Sequence, residues 1–234
     1  MKSILMTIVL VITAFAGDNL AKYDISMKML GEIGKSTLTI STTEDTYKIK
    51  MHLQMDKSLS DVEHSYESYG TIVDGVYKPE RFVKYIREGE DEITNYYIFD
   101  YEKQQIQKYT TEKRSKSLLG GLFSSDDKVV TESFELLTDF TPNDTMTTFL
   151  NAERLLAGRS EMVVTSVGFR KDERNISLHR FKDEYRVKVV DKEENDDYSI
   201  MVAVSPDGMV RKILIQEYTM LGTIDVARNQ YTDK

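Results

Sequence analysis

The sequence predicts a mainly β protein, an antiparallel meander rolled into a barrel or open half-barrel with one capping α-helix, and three observations carry that expectation. From Tyr23 onward apolar and polar residues alternate with period two, which puts one row of side chains on a buried face and the other in solvent. Polar turns recur about every 8–12 residues, too closely for crossover helices, so successive strands pair antiparallel. One stretch, 143–158, has helical spacing between an N-cap residue and a glycine.

Tyr23, Ile25, Met27 and Met29 alternate with Lys22, Asp24, Ser26 and Lys28 in the first strand. Gly31 and Gly34 bracket a turn, after which Leu38 and Ile40 alternate with Thr37, Thr39 and Ser41. Beyond Thr43-Glu44-Asp45 a third strand sets Tyr47, Ile49, Met51, Leu53 and Met55 against Lys48, Lys50, His52 and Gln54. Leu59, Val62 and Tyr66 sit at helical spacing, which predicts a turn or two of helix over 57–66 before a strand at 68–73. Asp74-Gly75 tolerates positive φ at both positions and marks a two-residue hairpin. Strands then follow over 82–87, 93–101 and 105–110.

Residues 113–128 are basic, then apolar but split by glycines, then polar. They are expected to form a mobile loop with an apolar tip of Leu118, Leu119, Leu122 and Phe123. After a strand at 129–137, Asn143 or Asp144 caps a helix whose stripe is Met146, Phe149, Leu150 and Leu156, with Gly158 just past its end. Further strands are expected over 161–169, 176–181, 184–190, 198–204, 209–218 and 221–227, with Ser205-Pro206-Asp207-Gly208 as a turn. No linker interrupts 17–234, so one domain is expected.

Residues 1–16 have a charged start at Lys2, an apolar run over 4–15 and Ala14-Phe15-Ala16, the layout of a cleaved secretory signal. No later segment reaches the about 20 apolar residues of a membrane helix. A soluble periplasmic product follows. The formal net charge of −8 repels a phosphate backbone, which excludes nucleic acid as a partner. The chain has no cysteine, which excludes disulfides, thiolate metal sites and a cysteine nucleophile.

No motif specifies an enzyme, a cofactor or a metal site. Gly31-Glu32-Ile33-Gly34-Lys35-Ser36-Thr37 resembles the end of a phosphate-binding loop but lacks its first glycine and leads into a strand instead of a helix. His52, His64 and His179 do not pair at helical spacing, although Asp61, Glu63 and Glu67 neighbour His64 in sequence. The acidic run 191–197 lacks the spaced ligands of a calcium loop and reads as a solvated turn. Asn175-Ile176-Ser177, with Glu173 two residues earlier, is a short glycosylation pattern at Asn175.

The most suggestive feature is the methionine-bearing face of the first strands. Tyr23, Ile25, Met27, Met29, Tyr47, Met51, Leu53 and Met55, with Met146 and Phe149 of the helix above them, form a candidate apolar ligand face. Flexible, polarisable methionines repack around variable guests, and they equally fill cores. Leu118, Leu119, Leu122 and Phe123 are the candidate contact for a partner or a membrane.

Three stretches carry a family resemblance: Tyr23-Asp24-Ile25-Ser26-Met27 with Leu30-Gly31-Glu32-Ile33-Gly34, the run Ser68-Tyr69-Gly70-Thr71-Ile72-Val73-Asp74-Gly75-Val76-Tyr77-Lys78-Pro79-Glu80-Arg81-Phe82, and Leu221-Gly222-Thr223-Ile224. In these the chain resembles the bacterial envelope family called domain of unknown function 3108. The resemblance implies export and a β-rich fold, similar in architecture to periplasmic lipoprotein carriers, and implies no biochemical activity. The expectation is an exported, non-catalytic envelope protein that binds a lipid-like ligand in a curved sheet. Its alternatives are an interaction or assembly factor with a packed interior, and a hydrolase without a recognisable signature.

Overall fold

The computed structural model describes residues 17–27, 30–56, 61–118, 123–168, 175–181, 184–189, 198–204, 210–216 and 224–233. The leader at 1–16, Met29, Leu119, Leu122, the acidic run 191–197, the turn at 205–208 and 221–223 lie outside them. So do the side chains of Leu118, Phe123 and Asn175.

The strands are β1 (Gly17–Met27), β2 (Gly31–Thr42), β3 (Thr46–Met55), β4 (Val62–Val73), β5 (Val76–Glu88), β6 (Asp91–Asp100), β7 (Gln105–Leu118) and β8 (Phe123–Leu137). Two short helices follow, α1 (Thr145–Leu150) and α2 (Ala152–Leu156). The remaining strands are β9 (Glu161–Thr165), β10 (Asn175–Phe181), β11 (Glu184–Val189), β12 (Tyr198–Val204), β13 (Val210–Gln216) and β14 (Ile224–Asp233). They form one 14-stranded sheet in the order β8-β7-β6-β5-β4-β3-β2-β1-β14-β13-β12-β11-β10-β9. Strands adjacent in sequence pair antiparallel except β8 and β9, and β1 joins β14, from Asn19 opposite Asp233 to Met27 opposite Ile224. The mainly antiparallel meander is as expected. Its end strands are β8 and β9, and no described pairing joins them.

The helices show that the sheet curls. α1 packs on β4 and β5, and α2 packs on β9 and β10. β5 and β9 lie ten places apart in the strand order, a span of roughly 48 Å in a flat sheet at about 4.8 Å per strand. The two helices together reach about 18 Å, so the arms must bend toward each other. A Cβ built on Gly168, just after β9, would lie 2.2 Å from Phe82 Cε1 of β5, which puts the two arms in direct contact.

Burial alternates along the strands and converges on one face. Tyr23, Ile25, Leu38, Ile40, Tyr47, Ile49, Met51, Leu53, Tyr66, Phe82 and Tyr97 point into one core with Met146, Phe149, Ala152 and Leu156 of the helices, and with Val164, Ile176 and Leu178 of the far arm.

Three expectations need correcting. Of the helical turns expected over 57–66, residues 57–60 lie outside the described residues, and 62–66 are instead the first part of β4, in which His64, Tyr66 and Ser68 are buried in alternation with half-buried neighbours. Inward polar residues at 64 and 68 hide the period-two pattern. The loop expected over 113–128 is a hairpin, because β7 and β8 pair as far as Leu118 opposite Phe123. The single helix is two. Asn151 ends α1, its side-chain amide donates to Tyr77 O at 2.8 Å and its side-chain oxygen accepts from Tyr77 N at 2.9 Å, so it binds the backbone of β5 where a helix would have continued.

Candidate functional site

Of the candidate ligand face, Tyr23, Ile25, Met27, Tyr47, Met51, Leu53, Met146 and Phe149 come together in the core, and Met55 is half-buried against it. The strand register explains the grouping: Met51 faces Leu38, Leu53 faces Ser36 and Ser36 also faces Tyr23. Ile25, Met51, Leu53 and Phe149 have no exposed surface at all. A side chain without accessible surface borders no space wide enough for a water molecule. Around these four residues the face is filled by the protein's own atoms.

A polar seam runs beside that core. Asp144 caps α1 and is fully buried. Its Oδ1 accepts from Met146 N at 2.7 Å and Thr147 N at 2.8 Å, and its Oδ2 accepts from Ser68 Oγ at 2.6 Å. Thr147 returns the capping box by accepting from Asp144 N. Burial pushes the Asp144 carboxyl up to about 6, against the opposing pull of these hydrogen bonds. The Tyr47 hydroxyl lies 3.1 Å from Ser68 Oγ; burial first, and then the Asp144 charge, raise its pKa well above the ordinary tyrosine value. Burial alone raises Tyr77 to about 12. The seam fastens α1 to β3 and β4. Ser68 has no accessible surface, so this serine is a tether and not an exposed nucleophile.

His64 is buried, with Nε2 3.9 Å from Glu88 Oε1 and Nδ1 3.4 Å from the Tyr66 hydroxyl. Its sequence neighbours lie on the opposite face. Asp61 and Glu63 both grip Arg87, and Glu67 binds Lys50 at 2.6 Å and the Tyr69 hydroxyl. Strand geometry separates them because adjacent positions point to opposite faces. Among the described residues no group of three or more His, Cys, Asp or Glu is placed to hold a metal ion.

The convex face carries a transverse row. Lys48 pairs with Tyr69, Tyr69 with Arg81, Tyr96 with Tyr109 and Tyr109 with Phe134 across successive strands. The Arg81 guanidinium sits 4.3 Å from the Tyr69 ring centre and donates to the Tyr96 hydroxyl at 2.9 Å. Tyr109 and Phe134 rings lie 5.0 Å apart.

The row ends at the edge of the sheet. Every residue over 128–136 of β8 is exposed. Val130 keeps 56% and Phe134 58% of their surface, and Val129 and Leu136 are also open. Among the described residues no strand pairs with the second edge of β8. Leu118 and Phe123 face each other at the end of this same hairpin, while Asn175 opens β10 opposite Thr165. The sequence reading missed β8 as a site because 129–137 resembles any other strand. The available signal was apolar residues on both alternation phases, Val129 and Leu137 on one and Val130, Phe134 and Leu136 on the other.

No helix among the described residues is long and apolar enough to cross a membrane. No curated protein and no solved structure matches the chain. A family model described as "Protein of unknown function (DUF3108)" matches residues 22–227, from β1 into β14. The chain therefore belongs to the DUF3108 family, whose function is unknown.

Proposed function

We propose that this protein is an exported, non-catalytic envelope factor, an open half-barrel with a packed interior that docks a partner by strand addition at β8. The observation that carries the reading is the edge itself: a long strand, exposed over 128–136, with apolar side chains on both faces. Native folds normally blunt such edges, since a row of unpaired backbone donors and acceptors is a template for another extended chain. A lipid carrier would instead need room along the methionine face, where Met51, Leu53 and Phe149 have no accessible surface. An acyl chain could enter there only by displacing the protein side chains that cover these three residues.

Site-specific photocrosslinking in living cells tests the reading. A photoreactive residue at Val130 is expected to trap a polypeptide partner, and one at Lys48 on the central β3 is not. Absence of adducts at Val130, together with lipid that co-purifies in native mass spectrometry, would overturn docking in favour of a carrier.

A further inference from the structure

We infer that the strand completing β8 belongs to a second copy of this chain, paired antiparallel about a two-fold axis through Val130. The inference rests on the docking reading above and names its partner. A two-fold perpendicular to a sheet pairs residues that share a face, so the paired numbers must differ by an even step and the axis must pass through one residue. The centres at Val130, Thr131 and Glu132 differ in what they set opposite the charged residues of the exposed stretch. An axis at Glu132 sets two like charges opposite each other. An axis at Thr131 opposes Lys128 to Phe134 and Val130 to Glu132. An axis at Val130 sets Lys128 opposite Glu132 twice by symmetry, Val130 opposite itself and Val129 opposite Thr131, so charge and β-branched shape are complementary together.

The side chains are available for this pairing. Lys128 retains 43% exposure, and its 3.6 Å contact to Glu92 is the longer of two, because Lys113 holds Glu92 at 2.9 Å. Such a dimer hides the long edge of both copies and leaves β9, five residues long, as each outer edge. Short edge strands resist further pairing, so the assembly closes at two. It also brings two convex patches of Tyr109 and Phe134 onto one surface.

The absence of cysteine makes disulfide trapping a clean test on protein purified from the envelope. Val130→Cys is expected to form a covalent dimer on oxidation, since directly paired Cα atoms lie about 4.5–5.5 Å apart, within disulfide reach. Phe134→Cys, roughly 27 Å from its own copy at about 3.4 Å per residue, is expected to stay monomeric on a non-reducing gel. In sedimentation equilibrium Lys128→Glu should weaken the dimer about tenfold, and Lys128→Glu with Glu132→Lys should restore it. A faster crosslink through Glu132→Cys, or no rescue by the charge swap, overturns the register and with it the inference. A monomer at tens of micromolar that gives no Val130→Cys crosslink also overturns it. Docking in general then survives if the photoreactive residue at Val130 traps a different protein, and falls if it traps nothing.

Discussion

Asp144 is the residue where helix, sheet and pH meet. Its carboxyl sits at about 6 in the folded chain because burial penalises the charge, against about 3.9 in an unfolded one. Between those values the folded state keeps a proton that the unfolded state has released. The resulting stability is complete below about pH 4 and is lost as pH rises through 6, about 3 kcal/mol in all. Asn caps helices as well as Asp does, and its amide can donate to Ser68 while Ser68 turns its own proton toward Tyr47. Asp144→Asn should therefore gain about that amount on the wild type between pH 4 and 7, read as the difference between two urea titration series. Gly168 makes a second prediction at this scale. Its φ is +88° and a Cβ would meet Phe82 at 2.2 Å, so Gly168→Ala should cost about 3 kcal/mol through overpacking and left-handed strain together. An unchanged melting temperature would contradict the contact between the arms.

Among the elements, the break between α1 and α2 is set by one side chain. Asn151 is buried and binds both backbone groups of Tyr77, so Asn151→Ala leaves a donor and an acceptor of β5 unpaired. A loss of about 2–3 kcal/mol is expected in chemical denaturation. The position of the helical segment was readable from its Asp144 cap and its Met146 to Leu156 stripe, but the break was not, because it depends on a partner 74 residues away. β1 and β3 were equally readable, their alternation being apolar against charged. The second half of β4, over 68–73, was readable too, but its extension back to Val62 was not, since the buried row there includes His64, whose burial depends on Glu88 and Tyr66. β8 illustrates the opposite failure. Its alternation is legible, but only the strand order reveals that it lies at an end of the sheet. An element's pattern reports its period and one packed face, while its place in a sheet is a property of the other strands. The candidate site has the same division: the methionine face was visible as apolar, and whether it encloses a guest or a core depended on how far the sheet bends.

At the scale of the whole molecule, two meanders share one core through the β1–β14 pairing and through the helices. Phe149 lies at the centre of that arrangement, fully buried on α1, whose neighbours are β4 and β5 while α2 sits on β9 and β10. Removing its ring leaves a cavity that cannot collapse without moving both arms, so Phe149→Ala should cost about 3–5 kcal/mol. The distribution of the loss is more informative than its size. If the helices tie the arms into one cooperative unit, hydrogen exchange should accelerate together in β4, β5, β9 and β10. Phe134→Ser, which alters an exposed ring on the edge strand, should leave exchange in those four strands unchanged and shift stability by less than about 0.5 kcal/mol. Acceleration confined to one arm after Phe149→Ala would mean that the arms open independently. A curl that opens in that way would give an apolar molecule transient entry to Met51 and Leu53, and the carrier reading would gain a physical route to two side chains that have no accessible surface in the closed fold.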